Sequence, residues 1–199
     1  VGVCLVFMIH PVKTLPKDRL LSLSRMQEDS QQFVASSSKE PDLEDLLSLD
    51  LAREEGKTQK NWVTLSAFIK KFGKAASFTQ EDTSFGAQVQ LGYGTPVKGI
   101  YPYKIEFHEQ DGVFYLSAVQ GFVPHSSLYK KKKDLKLADF TGYQTLDGKK
   151  EKGTMVEEVL KKSGLPNSLS LTRTQDKHLL ALSYQVTDGL VSLTFERDQ

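Results

Sequence analysis

Cysteine is almost missing from this sequence: Cys4 stands alone, so no disulfide can form within the chain. A small core stapled by disulfides is thereby excluded, and 199 residues are enough to bury a core without them. An excess of one charge is missing too. Lys and Arg number 26 against 25 Asp and Glu, a formal net of +1, which excludes nucleic-acid binding driven by global charge. The uncharged stretch Val1–Ile9 is nine residues, where a membrane-spanning helix needs about 20 apolar ones. The four histidines, His10, His108, His125 and His178, fall in no metal-ligand spacing such as His-x-x-x-His. Glu106, His108 and Glu109 cluster around a strand and turn, but in no known motif. Gly92-Tyr93-Gly94 is half a phosphate loop with no helix start behind it. Ser, His and Asp occur without a nucleophile-elbow sequence. These absences point to no catalytic constellation, no cofactor and no metal, and the chain is read as a non-enzyme.

What is present begins with the apolar start. Residues 1–13, with His10, Pro11 and Lys13 at the water boundary, read as the end of a cut signal or membrane-anchor segment. A buried strand is the alternative. Val3 is not the small residue that precedes a lipidated cysteine, and the chain stays apolar after Cys4, so Cys4 is read as part of an apolar segment. Residues 14–60 are predicted as a polar helical spacer. Pro16 opens one pattern, with Leu20, Leu23 and Met26 at steps of three, and Ser36-Ser37-Ser38 breaks it. Pro41 opens a second, Leu43, Leu46, Leu47, Leu49 and Leu51, which Gly56 ends. The pair is either a stalk or two helices packed on the C-terminal part of the chain; leucine stripes favour packing.

The rest of the chain carries an internal repeat. Lys70 and Lys161, Gly73 and Gly164, and Tyr93 and Tyr184 are each 91 positions apart. In repeat one, residues 61–123, Leu65, Phe68, Ile69 and Phe72 make one helical face and Gly73 ends it. Strands are predicted over 87–93, 100–107 and 113–119, the last two joined by a turn at Gln110-Asp111-Gly112. Alternation puts Tyr101, Tyr103 and Phe107 on one strand face. Residues 124–139 are a linker. Its run Lys130–Lys133 reads as a solvated loop diluted by Asp134 and Asp139, rather than a grip on phosphate or anionic lipid. In repeat two, residues 140–199, Thr154 and Glu157 form a capping-box pattern, and Gly164-Leu165-Pro166 stops the helix. Leu169 and Leu171, then Leu180, Leu182 and Tyr184, then Val191, Leu193 and Phe195 mark three strands. Repeat two stops where repeat one turns into a further strand, so the natural protein is expected to continue past Gln199.

Gly153-Thr154-Met155-Val156-Glu157-Glu158-Val159, Gly164-Leu165-Pro166, Leu182-Ser183-Tyr184 and Val191-Ser192-Leu193-Thr194-Phe195 resemble the SmpA/OmlA-type repeat. In tandem that unit builds the β-lactamase inhibitor protein and related anchored proteins of Gram-positive bacteria. In repeat one Trp62 replaces the pre-helix glycine and Ala75 the proline. The resemblance spans residues 61–199 and implies an α+β fold of two tandem helix and antiparallel β-meander repeats behind the N-terminal spacer. It implies a non-enzymatic interaction module with a protein partner, on the extracellular side of the cell membrane and anchored by the N-terminal segment. The loops at Gly94–Gly99 and Gln185–Gly189 share no motif that would carry the inhibitor's contacts.

The expected partner-binding residues are aromatic: Tyr93, Tyr101, Tyr103 and Tyr115, because tyrosine supplies contact area at low entropy cost. The alternative to a protein-binding module is a sensor or carrier holding a peptide or small ligand in a cleft between the repeats.

Overall fold

The computed structural model describes residues 31–52, 61–84, 86–122, 124–145, 153–174 and 177–198. Seven strands form one antiparallel sheet in chain order: β1 (Ser77–Thr83), β2 (Gly86–Tyr93), β3 (Tyr103–Gln110), β4 (Val113–Gly121), β5 (Ser168–Arg173), β6 (Lys177–Val186) and β7 (Gly189–Asp198). Three short α-helices, α1 (Leu43–Leu47), α2 (Leu65–Phe72) and α3 (Val156–Ser163), and one 3-10 turn of helix, Leu137–Phe140, accompany it among the described residues. The fold is therefore mostly β, with less helix than the expected α+β arrangement. The two halves share one sheet, because Val119, Gln120 and Gly121 of β4 pair with Leu171, Ser170 and Leu169 of β5.

Local chemistry explains most strand ends. Asp111 and Gly112 both take positive φ, 54° and 81°, in the two-residue turn between β3 and β4. That turn matches the strand twist and favours Asp-Gly. Phe107 pairs with Leu116 but Glu106 pairs with Ala118, so Ser117 is an extra residue in β4. This bulge lets Phe114, Leu116 and Val119 all reach the core. β1 was not expected from the sequence. Ser77–Thr83 holds one large apolar residue, Phe78, and its polar side chains suit the edge it occupies.

The core lies on one side of the sheet. Val89, Leu91, Tyr93, Tyr103, Ile105 and Phe107 are buried there in the first half, and Leu169, Leu171, Leu180, Leu182 and Tyr184 in the second. Phe68 of α2 packs its ring 5.8 Å from Tyr93 and 5.5 Å from Phe107. Val159 and Leu160 do the same work for α3. The Thr64 hydroxyl accepts the Ala67 N–H and starts α2. α3 starts differently from expectation. Its N-cap is Met155 with no side-chain bond, while the Thr154 hydroxyl accepts the Gln144 N–H at 2.8 Å and its own N–H donates to the Gln144 carbonyl at 2.9 Å. The preceding loop has claimed the threonine.

Residues 31–52 pack onto the sheet. Phe33, Leu43, Leu46, Leu49 and Leu51 are buried in the same cluster as the two halves. The expected helix through Leu51 is only five residues long, and the stretch after it holds Leu49 and Leu51 in an extended strap whose Ala52 N–H reaches the Leu116 carbonyl at 2.8 Å. Residues 1–30 and 53–60, with Cys4, the apolar start and most of the predicted first spacer helix, lie outside the described residues; the end of that stretch, at Phe33 and Val34, is a turn and a bridge to Ala75 rather than helix.

Candidate interaction surface

Strand alternation gives the sheet a second face, and no described helix covers it. Pairing places Ser77, Gly92, Lys104, Gln120, Ser170, Ala181 and Thr194 in one row across all seven strands of that face. Ser183 and Ser192 pair next to it. The side chains are small or polar. Glu106 anchors a local network, accepting the Gln90 amide at 3.2 Å and pairing with Lys104 at 3.3 Å. His108 shares this face beside Tyr115, while Glu109 has the opposite parity and accepts the Gly112 N–H at the turn. The suspected Glu106, His108 and Glu109 cluster is therefore split between two faces. Among the described residues no three His, Cys, Asp or Glu side chains stand together as a metal site.

The four predicted tyrosines divide by the same parity. Tyr93 and Tyr103 are fully buried and present no surface to a partner. The Tyr93 hydroxyl donates to the Gly73 carbonyl at 2.7 Å. The Tyr103 hydroxyl accepts the His125 N–H at 2.9 Å. Burial pushes the Tyr93 hydroxyl well above the ordinary tyrosine value and that of Tyr103 up to about 12. Tyr101 and Tyr115 are half-buried and lie on the open face. A Cβ built on Gly92 would fall 2.6 Å from the Tyr101 ring, so that ring lies over the glycine. The expectation that Tyr101 and Tyr103 share a face is thus corrected: β3 begins at Tyr103, and Pro102 breaks the alternation before it. Tyr115 meets Trp62 edge-on at 5.6 Å.

A buried polar cluster that the sequence did not reveal sits at the other end of the second half. His178 of β6 is 4% exposed and lies between two arginines. Arg197 of β7 stands 2.6 Å from Nδ1, and Arg173 of β5 stands 3.1 Å from Nε2. The same arginines hold the strap: Arg173 donates to the Leu51 carbonyl at 2.7 Å, and Arg197 to the Leu49 carbonyl at 3.0 Å and to Asp50 at 2.9 Å. Burial, then the Arg197 and Arg173 charges, pull the imidazole below its ordinary value, with the hydrogen bond to the Leu51 backbone and then Asp50 opposing. Both ring nitrogens face N–H donors, and a neutral imidazole has one lone pair to offer them. The cluster is a clasp for residues 49–51.

The lysine run is built into the fold more firmly than a solvated loop. Lys131 bridges Gly164 in antiparallel fashion, and the Leu165 N–H donates to the Lys130 carbonyl at 3.1 Å. Two shallow clefts flank this contact, and His178 lines neither. One of about 420 Å³ lies between Leu128, Tyr129, Leu160 and Lys161. The other, of about 220 Å³, is bordered by Lys131, Asp134, Asn167 and Gln185. Residues 43–51 lie along the shared core, with Leu43, Leu46, Leu49 and Leu51 buried in the same cluster as both halves. There Asp45 reaches Lys71 of α2 at 3.8 Å, and Arg197 reaches the far end of the segment.

No family model matches the sequence, and no curated protein matches it. Among solved structures, the chain is similar to a protein from Streptococcus mutans whose crystal structure is described as a "putative beta-lactamase inhibitor protein". The identity is 14% and the TM-score 0.44, with 80% of this chain and 93% of that chain covered. At that level the likeness assigns no residue and no activity. No described helix is long and apolar enough to cross a membrane.

Proposed function

We propose that this chain is a non-enzymatic protein-binding module that docks its partner on the open face of the seven-stranded sheet, Tyr101 and Tyr115 included. The observation that carries this reading is one-sided packing. Helices α1 to α3 and the strap at residues 49–51 bury side chains in the core on one side. The row from Ser77 to Thr194 crosses all seven strands on the other side, uncovered by any described helix. Small side chains let a partner approach the backbone closely, and the flanking tyrosines supply contact area. The module is anchored outside a cell membrane by residues 1–13, in keeping with the apolar run there.

We read the two halves as copies of one unit. The Tyr184 hydroxyl donates to the Gly164 carbonyl at 2.8 Å, the counterpart of the Tyr93 bond to Gly73 at 2.7 Å, each across 20 residues. Joining two such units edge to edge doubles the width of the docking face.

The test is capture from an envelope extract by the full chain and by a variant with Ala181→Arg and Ser192→Arg. Both substitutions lie on the open face and leave the core untouched. The expected result is one stoichiometric protein held by the wild type and lost by the variant at unchanged Tm. Equal capture by both, or capture of nothing by the wild type, overturns the reading.

A further inference from the structure

We propose that the lysine cluster around the end of α3 is a docking surface for the anionic headgroups of a phospholipid bilayer, with Leu128 as the side chain that enters the interface. Two segments 30 residues apart build it. The Lys131–Gly164 bridge sets Lys130, Lys131, Lys132 and Lys133 against Lys161 and Lys162, and all six side chains are exposed. Two of the six are engaged: Lys132 donates to the Lys162 carbonyl at 2.6 Å, and Lys162 lies 5.1 Å above the Tyr143 ring. The ammonium groups of Lys130, Lys131, Lys133 and Lys161 have no partner among the described residues. Asp134 borders the smaller cleft, and Glu157 and Glu158 lie one turn back from Lys161 and Lys162 without closing an ion pair. The negative end of an eight-residue helix, worth about half a charge, asks for one lysine rather than six.

Charge alone suits any polyanion; the apolar component chooses among them. Leu128 is 70% exposed at the rim of the larger cleft, over Tyr129 and Leu160. A bilayer accepts such a side chain beneath its headgroups, so apolar burial and lysine attraction add. A nucleic-acid backbone gives a leucine nothing to bury against. The patch also has no arginine, the residue best shaped for bidentate phosphate contacts. The proposal does not rest on the open face binding a protein.

The test is sedimentation of the full chain with vesicles of phosphatidylglycerol and phosphatidylcholine, and with phosphatidylcholine alone. Any contribution of the N-terminal segment common to both vesicle types cancels in the comparison. The wild type is expected to prefer the anionic vesicles, and 0.5 M salt to remove the preference, a concentration at which the screening length is only about 4 Å. A variant with Lys130, Lys131, Lys133 and Lys161 all changed to Gln is expected to lose more than about a hundredfold in anionic-vesicle affinity, at about fivefold per lysine. Leu128→Ser is expected to weaken binding severalfold on anionic vesicles. Equal binding of wild type and lysine variant to anionic vesicles overturns the proposal. So does full competition by millimolar inorganic phosphate, which marks a free-anion site. Tighter, lysine-dependent binding to a duplex oligonucleotide overturns it in favour of nucleic acid.

Discussion

Gly73 and Gly164 end the two longer helices at positive φ, 83° and 73°, and each gives its carbonyl to a tyrosine hydroxyl. Their surroundings differ. Gly73 is exposed, and a Cβ built on it would meet nothing within 4 Å. Gly164 is buried, and its Cβ would stand 2.3 Å from the Lys130 carbonyl oxygen. One glycine answers to the backbone alone, while the other also answers to a second piece of chain pressed against it. The difference teaches that one local signal can serve two purposes. In the first half it stops a helix. In the second it also makes room for the lysine run, and so creates the cationic patch.

Alanine substitution should separate these roles most strongly. Gly73→Ala puts a side chain at φ 83° and ψ 178°, backbone that essentially only glycine adopts, at a cost of about 1–3 kcal/mol. Gly164→Ala carries that and an overpacking cost of about 1–3 kcal/mol, since the atom it strikes is backbone. Urea unfolding should show Gly164→Ala as the worse variant, and equal losses would mean the Lys130 contact yields freely. The tyrosine bonds sharpen the contrast at smaller scale. Tyr184→Phe leaves a buried carbonyl without a donor, at about 1–3 kcal/mol, whereas water can replace the bond at exposed Gly73 and holds Tyr93→Phe to about 1 kcal/mol. A Tyr93→Phe loss as large as that of Tyr184→Phe would erase the distinction.

The smallest effect is a pH dependence confined to the second half. His178 has its pKa lowered on folding, so the unfolded chain takes up the proton first. The stability this neutral imidazole contributes is present above its ordinary value of about 6.5 and declines as pH falls from there toward the folded value, by at most about 1.4 kcal/mol per pH unit for one proton. Because Arg173 and Arg197 also hold the Leu51 and Leu49 carbonyls, release of the strap should accompany the loss. Urea midpoints across this pH window for wild type and His178→Gln check it: the wild-type slope should exceed the variant's, and parallel curves would remove His178 from the account.

Much of the fold was legible in residue order. The stripe of Leu65, Phe68, Ile69 and Phe72, the turn at Asp111-Gly112, and the alternation of Leu180, Leu182 and Tyr184 all form as read, because each is settled within a few residues. The misses share the opposite property. β1 is a strand because Val89 and its neighbours offer it an edge, and its own polar sequence does not announce it. Thr154 looks like a cap until Gln144 claims it. Tyr101 turns to the open face because a proline intervenes and Gly92 leaves room for its ring. The spacer leucines looked like a helical stripe, yet Leu49 and Leu51 reach the core in extended chain.

The sequence by itself determined the two helices that end at Gly73 and Gly164 and the alternation within strands such as β6, since periodicity and glycine stereochemistry act over short spans. Tertiary structure decided that the units share one sheet, that Tyr93 and Tyr103 are core while Tyr101 and Tyr115 face outward, and that the lysine run meets the end of α3. Those outcomes depend on which distant segments compete for the same backbone groups and the same buried space, and that competition is resolved only when the whole chain packs.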